Sequence, residues 1–554
     1  MHSLTRSLGL IAATASLLYA TSAMAGTPRR PPPHRPLPGA RVPTLQWAPC
    51  AAQTPGVQCA QAMVPLDYNN PDGPQITLSL ARVPARRPAQ RIGTLFFNPG
   101  GPGGRAVSLV KDGFTTQISP EVLDRFDIVG WDPRGVGEST PLLCWASDAA
   151  RNSYFAPSLY LPWRADQEPT FFNHRSAIRG LCAARGQAIL GHMSTAEVAR
   201  DLDLLRQAVG DPRLNYIGYS YGSYLGATYA NLFPMQIRAM VLDSVVEPAA
   251  YASARMFEWN HDSADMVLQQ FFLQCELAGA QCPLNGNGGP ALRYARIAQA
   301  LRNGASTTYN HPDYGPTLYT YDFFLTDVDD AMKAPESWKT LANTMVALDG
   351  ALSKRSAPAM QPVRRAGTGR TFLPASRGWS DASPGNYEEA FLSSHCSDAR
   401  YPPTLADFQQ RAQIGIAGTG LGQVWAWEVA GCAGWPASPL RYMGPWNLGR
   451  SAPILTINAR HDAATPIRGA VEASRLLANS RLLTYEGWGH AIAYTNRSAC
   501  VSEAASRYLI DGTLPAEGAT CPAAGNPFAS AKRSSNRSLD LVRRLSGVRG
   551  PQRR

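Results

Sequence analysis

The sequence predicts an α/β fold: a mostly parallel sheet with helices on both faces, interrupted by a large, mainly helical cap. Three observations carry this reading. Nearly continuous apolar runs occur at residues 92–98 (IGTLFFN), 126–132 (FDIVGWD), 215–219 (NYIGY) and 239–243 (AMVLD), and such runs mark parallel strands buried on both faces. Helical patterning lies between them: Ser194 and Glu197 form a capping-box pair, after which Val198, Leu202, Leu205 and Val209 recur at spacings of four, three and four. That is the apolar face of a crossover helix. The strand pattern stops at Asp243 and resumes only at 453–458 (PILTIN) and 481–485 (RLLTY), so the cap, residues 245–450, enters after the sixth strand and the sheet is completed behind it.

Composition bounds the remaining choices. A chain of 554 residues, 44% hydrophobic and 17% charged, buries a substantial core, which excludes wholesale disorder, a collagen-like repeat and a coiled coil. The net charge of +11 invites a nucleic-acid or membrane-surface reading, so its placement matters. Residues 1–41 hold five arginines and no acid, and residues 532–554 hold eight basic residues against Asp540, which leaves −1 for residues 42–531. The body is nearly neutral, and nucleic acid is not an expected partner.

The N-terminus reads as a targeting segment. Arg6 supplies a positive start, residues 8–20 an apolar stretch of 13, and Ala23-Met24-Ala25 a small-x-small cleavage site. Thirteen apolar residues are too few to span a bilayer, which takes roughly 17–25, so stable membrane insertion is not expected. Residues 27–43 carry seven prolines and four arginines, an extended composition that cannot form a core. The expected organisation is a signal peptide (1–25), a Pro/Arg-rich linker or pro-segment (26–43), the core's first part (44–244), the cap (245–450), the core's C-terminal part (451–531) and a basic disordered tail (532–554).

Ten cysteines follow the signal segment: Cys50, Cys59, Cys144, Cys182, Cys275, Cys282, Cys396, Cys432, Cys500 and Cys521. An even count in an exported chain, secreted or periplasmic, implies disulfides. No Cys-x-x-Cys pair and no cysteine–histidine cluster at finger-like spacing is present, so a structural metal is not expected. Pairing each cysteine with its sequence neighbour is the simplest arrangement.

The chemistry starts at Gly218-Tyr219-Ser220-Tyr221-Gly222. This G-x-S-x-G pattern lies between a predicted strand and the helix-like run 221–233, the placement of a nucleophile elbow. A serine hydroxyl needs a histidine to take its proton and a carboxylate to fix that histidine's tautomer. Elbows of this kind are followed in the chain by the acid and then the histidine. Asp462 follows the strand at 453–458, and His490 follows the next strand in Gly487-Trp488-Gly489-His490. Two alternatives stand beside them: His461 as base, although it precedes the last strand, and Asp243 as acid, at the end of the strand after the nucleophile. The glycine-rich turn Asn98-Pro99-Gly100-Gly101-Pro102-Gly103-Gly104 offers backbone N–H groups for a developing oxyanion, with Gly101 and Tyr221 as the expected donors. A rival reading takes Gly101-x-Gly103-x-x-Ala106, with Asp124 or Asp127, as a dinucleotide fingerprint. It leaves the elbow and both strand-end partners unexplained, and no cofactor is expected.

These residues, together with VPLDY (64–68), NPGGPGG (98–104), GWDPRGVGES (130–139), GYSYGSYLG (218–226), LDSVVEP (242–248), Cys396-Ser397-Asp398, Gly434-Trp435-Pro436 and YLIDGTLP (508–515), resemble a known family. It is the exported bacterial serine aminopeptidases of the α/β-hydrolase fold, the tripeptidyl and prolyl aminopeptidase group. The resemblance implies the triad Ser220, Asp462 and His490, a tripeptidyl-aminopeptidase-like C-terminal segment, a peptide or small ester substrate, and disulfides best supported for Cys396–Cys432 and Cys500–Cys521. Two departures stand out: Arg105 follows the glycine turn where relatives carry a small residue, and Ala491 follows His490 where many carry glycine. An aminopeptidase must also pair the substrate's free amino group, for which Glu247, Glu258, Asp398 and Glu428 are the candidates. An exported carboxylesterase with the same triad is the alternative, and a catalytically silent binding module the remote one.

Overall fold

The computed structural model describes residues 39–51, 55–156, 158–185, 188–312, 315–354, 385–447 and 451–529. The expected signal peptide and basic tail, and the linker up to residue 38, lie outside the described residues.

Among the described residues, ten strands form one sheet. They are β1 (Ala48–Pro49), β2 (Gln58–Pro65), β3 (Gln75–Val83), β4 (Gly93–Asn98), β5 (Phe126–Trp131), β6 (Leu214–Tyr219) and β7 (Ile237–Asp243), then β10 (Ile454–His461), β11 (Ser480–Trp488) and β12 (Thr520–Cys521). The strands β8 (Thr307–His311) and β9 (Gly315–Tyr319) make a separate hairpin in the cap. The sheet order is β1-β2-β3-β5-β4-β6-β7-β10-β11-β12. From β5 onward every pairing is parallel, and β1, β2 and β3 add an antiparallel edge. Every residue of β4, β5 and β6 is buried, as their unbroken apolar runs require. With the two-residue β1 set aside, the chain leaves the sheet after its sixth strand.

Register places the chemistry. Ile217 stands between Phe97 of β4 and Val241 of β7, so the C-terminal ends of β4, β6 and β7 lie side by side. The glycine turn, Ser220 and Asp243 therefore open on one edge. Beneath them, Phe97, Phe114, Tyr219, Ile457, Tyr485, Val501 and Leu509 belong to one buried apolar cluster. Truncation of Phe97 to alanine in such a cluster costs about 3–5 kcal/mol. The capping box at Ser194 is present: the Glu197 carboxylate accepts from the Ser194 amide at 3.2 Å and its hydroxyl at 2.7 Å, starting the helix Thr195–Ala208.

The segment between β7 and β10 is mainly helical, with the helices Ser263–Leu277, Gly289–Arg302, Tyr321–Met332, Trp338–Ser353, Tyr387–Asp398, Leu405–Gly415 and Gly422–Glu428. A second stretch joins it. Between β5 and β6 the helices Asp148–Phe155, Glu168–Ser176 and Ile178–Ala184 pack against the cap through Phe171–Trp427 and Phe172–Phe408 ring contacts, with centroids at 5.7 and 5.5 Å, and through the Arg175–Glu388 ion pair. The lid over the sheet thus comes from two places in the chain.

All ten cysteines pair with their sequence neighbours: Cys50–Cys59, Cys144–Cys182, Cys275–Cys282, Cys396–Cys432 and Cys500–Cys521. Five disulfides fit a protein of an oxidising compartment. No helix of the described residues is long and apolar enough to cross a membrane.

Candidate active site

Ser220 sits at the turn between β6 and the helix Tyr221–Leu232, with φ 56° and ψ −123°. A non-glycine residue held there costs about 1–3 kcal/mol, and the surroundings supply the restraint. The Ser220 amide donates to the Asp243 carbonyl at 2.9 Å, and Ser223 donates to the Ser220 carbonyl through its amide at 2.8 Å and its hydroxyl at 2.6 Å. The flanking glycines are required by close approach. A Cβ at Gly218 would lie 2.2 Å from the Gly222 carbonyl oxygen, and one at Gly222 would lie 2.7 Å from that of Asn98. The glycine turn is pressed onto the same point: a Cβ at Gly100 would meet the Tyr219 carbonyl at 2.5 Å.

Asp462 and His490 come together from the ends of β10 and β11. His490 Nδ1 lies 2.9 and 2.8 Å from the two carboxylate oxygens of Asp462. The carboxylate also accepts from the amides of Ala464 and Thr465, both at 2.8 Å, and from the Thr465 hydroxyl at 2.9 Å. Burial pushes the Asp462 carboxyl up, but the neighbouring His490 and these hydrogen bonds outweigh it and hold the group below the usual carboxylate range. Nδ1 is thus the ring nitrogen committed to Asp462. The His490 loop is itself tied down, its amide donating to the Lys333 carbonyl at 2.9 Å, Arg497 donating to the carbonyls of His490 and Ala491, and the Ala491 amide donating to Ser244 Oγ at 2.7 Å.

The two alternatives are engaged elsewhere. Asp243 accepts from the amides of Ile492 and Ala493 at 2.9 and 2.6 Å, anchoring the segment behind His490, and burial raises its carboxyl to about 6. The His461 ring stacks on Trp488 with centroids 6.1 Å apart. Ser220, His490, Gly101 and Tyr221 all line one cavity, roofed by cap residues that include Tyr251, Tyr387, Tyr401, Arg411, Trp425 and Glu428. The fingerprint reading of the glycine turn fails on its surroundings. Gly103 faces the cap helix, where a Cβ would meet the Tyr387 carbonyl and Phe391 amide at 3.2 Å, Asp127 pairs with Arg91 at 2.9 Å and Asp124 with Arg87 at 3.0 Å.

The four cap carboxylates separate cleanly. Glu247 caps its own helix by accepting from the Ala249 and Ala250 amides. Glu258 is exposed beside Arg255. Asp398 is buried against Thr195, accepting from its amide at 2.8 Å and its hydroxyl at 2.6 Å. Glu428 stands on the cavity wall. Of the two departures, Arg105 is buried beside Asp132, whose charge attracts it, and is not part of the cavity wall. Ala491 has φ 66°, the left-handed region where glycine is at ease, which explains why glycine suits that position. Sequence reasoning missed Thr465, Ser223 and Arg497, which donate to the Asp462 carboxylate, the Ser220 carbonyl and the His490 carbonyl. Thr465 and Ser223 carried a local signal, each hydroxyl lying three residues after the residue it bonds, a spacing at which Ser and Thr side chains reach back along the chain.

A serine in a strained strand-to-helix turn, over the C-terminal edge of a parallel sheet and sharing one cavity with a carboxylate-held histidine, defines the class: an α/β-hydrolase-fold serine hydrolase. A family model described as "alpha/beta hydrolase fold" matches residues 93–275, and one described as "TAP-like protein" matches residues 418–521. The chain is 30% identical over 502 residues to serine protease Hip1 of Mycobacterium tuberculosis, covering 86% of this chain and 91% of that one. It is 28% identical over 524 residues to tripeptidyl aminopeptidase of Streptomyces lividans, covering 87% of each. It is 30% identical over 505 residues to carboxylesterase B of Mycobacterium tuberculosis, covering 87% of this chain and 91% of that one. The chain belongs to this family of α/β-hydrolase-fold serine hydrolases with a TAP-like C-terminal segment.

Proposed function

We propose that the protein is an exported serine aminopeptidase that releases tripeptides, or a proline-type residue, from free peptide N-termini through an acyl-enzyme. Ser220 attacks the acyl carbon as His490 Nε2 takes its proton, and Asp462 holds the imidazole and stabilises its charged form. The amides of Gly101 and Tyr221 donate to the oxyanion, a contribution of about 3–4 kcal/mol for one well-placed donor. His490 returns the proton to the leaving amine, and water then repeats the sequence to free the enzyme. The names of two relatives, a serine protease and a tripeptidyl aminopeptidase, support a peptide substrate. The carrying observation is that Glu428, a cap carboxylate, shares the cavity wall with Ser220 and His490. A substrate ammonium brought into this enclosed site needs such a partner.

The test compares free-amine peptide amides, N-blocked peptide amides and short acyl esters. Free-amine peptides are expected to be cleaved best, and Glu428→Gln is expected to lower their kcat/KM by at least about tenfold while changing ester turnover much less. Turnover of esters alone would favour the carboxylesterase reading, for which the relative named carboxylesterase B is the supporting observation. Export to the medium or the periplasm is the localisation that the disulfides support.

A further inference from the structure

We propose that Arg411 and the Tyr401 hydroxyl form a carboxylate-binding subsite on the cap wall of the Ser220 cavity, so that the enzyme favours substrates carrying an acidic group. This rests on the peptidase reading and names a preference within it.

Arg411 lies on the helix Leu405–Gly415 and lines the cavity. Its guanidinium is flanked by the rings of Phe257 and Phe408, with Cζ 5.9 and 5.7 Å from their centroids. Nη2 makes one long bond, 3.3 Å, to the Ala254 carbonyl. Nη1 is buried with no protein partner among the described residues. The carboxylates whose fields reach it are committed elsewhere: Asp407 in a capping box with Thr404, and Glu258 beside Arg255. Burial lowers the Arg411 pKa, yet a guanidinium stays charged in a protein, so a partly buried cation on the cavity wall has no ion-pair partner among the described residues. The other cation on this wall differs, because Lys333 holds Asp329 at 2.7 Å and Asp330 at 3.2 Å.

The cavity wall that carries Arg411 holds further groups of matching chemistry. The Tyr401 hydroxyl, which lies in the field of Arg411, is buried without a protein partner among the described residues, and so are the Tyr251 hydroxyl and the Trp425 indole N–H on the same wall. A cation and three donors in an aromatic surround are complementary to an anionic acceptor. A carboxylate is the one peptides carry, and it meets the planar guanidinium fork with two parallel bonds. Its source is either an acidic side chain or the α-carboxylate of a short peptide.

The experiment measures kcat/KM on free-amine tripeptide amides with Glu or Gln at each position in turn, and on longer Gln-containing peptides, which keep a residue beyond the scissile bond, as free acids and as amides. One carboxylate-bearing substrate is expected to exceed its amide counterpart by at least about tenfold, and Arg411→Gln is expected to bring that ratio towards one. The position at which the ratio appears identifies the source as side chain or α-carboxylate. Fluorophosphonate labelling of the variant reports its fold. If Arg411→Gln fails to fold, Arg411→Lys carries the test: it keeps the charge without the fork, and a several-fold fall in the ratio is expected. A ratio near or below one for every wild-type pair, or a ratio that survives either variant, overturns the subsite. If no free-amine peptide is cleaved but esters are, the peptidase reading falls instead, and aryl hemiglutarate against aryl glutaramate then reads the same Arg411 ratio.

Discussion

Asp462 accepts from two amides and one hydroxyl as well as holding His490, so every direction around it already supplies a donor. An amide in its place would turn its NH2 against a donor or would accept with its oxygen and leave His490 in the wrong tautomer. Asp462→Asn is therefore expected to lower kcat by roughly 10³–10⁴, with Tm within a few degrees and slowed fluorophosphonate labelling of Ser220. A kcat within tenfold of wild type would remove Asp462 from its proposed role. The three proposed triad positions were readable because the chemistry fixes where they stand: a serine in a glycine-flanked turn, and a carboxylate and a histidine at successive strand ends. Glu428 and Arg411 were not singled out. They reach the cavity from different helices of the cap, Gly422–Glu428 and Leu405–Gly415, and no local spacing encodes their meeting. Ala491 shows the limit of a one-residue departure: it marked an odd position, but only its φ of 66° gave the reason.

At the scale of elements, the helix Tyr387–Asp398 joins cap to core at both ends. At its start, Asn386 donates to the carbonyls of Gly135 and Leu142 at 2.8 and 3.0 Å. At its end, Asp398 accepts from the Thr195 hydroxyl. That hydroxyl has one proton, so Tyr221, 2.5 Å away, donates to it, and the chain Tyr221–Thr195–Asp398 runs from the turn at Ser220 into the cap. Thr195→Val cuts it, leaving the Tyr221 hydroxyl unpartnered in this chain and Asp398 short of a donor, at a cost of about 2–3 kcal/mol. Because the Tyr221 amide is a proposed oxyanion donor, kcat is expected to fall roughly ten- to a hundredfold with KM little changed. An unchanged kcat beside a lowered Tm would make the chain a structural tie alone. The apolar runs announced the parallel strands faithfully, since burial on both faces leaves no place for polar residues. The antiparallel edge went unread because β2 fills its inward positions with Ala60 and Ala62, too small to make alternation visible. The helices between Cys144 and Cys182 were equally quiet, being short and packed against elements far along the chain.

For the molecule as a whole, charge placement and buried acids matter more than the net +11. The structure encloses Asp132 and Asp243, each raised by burial to about 6, and Glu389 and Asp398, each raised by burial to about 7. Unfolded carboxyls titrate near 4. A group whose pKa is higher in the folded state binds its proton more tightly there. Its contribution to stability is complete below pH 4 and is lost as pH rises through the folded value, here 6 to 7. Asp462, held below the usual range, acts in the opposite sense, but its loss falls below pH 4, outside that window. His174 and His461, whose pKa values burial lowers, favour the folded state above about 6.5. They are only half-buried, and they oppose four carboxyls that are almost wholly enclosed. Tm is therefore expected to fall between pH 5 and pH 8 by at least about 3 °C, and Asp398→Asn, which cannot titrate, is expected to show a shallower fall. A Tm that rises across that range, or an Asp398→Asn slope equal to wild type, would mean that hydrogen bonds to the charged carboxylates outweigh their burial.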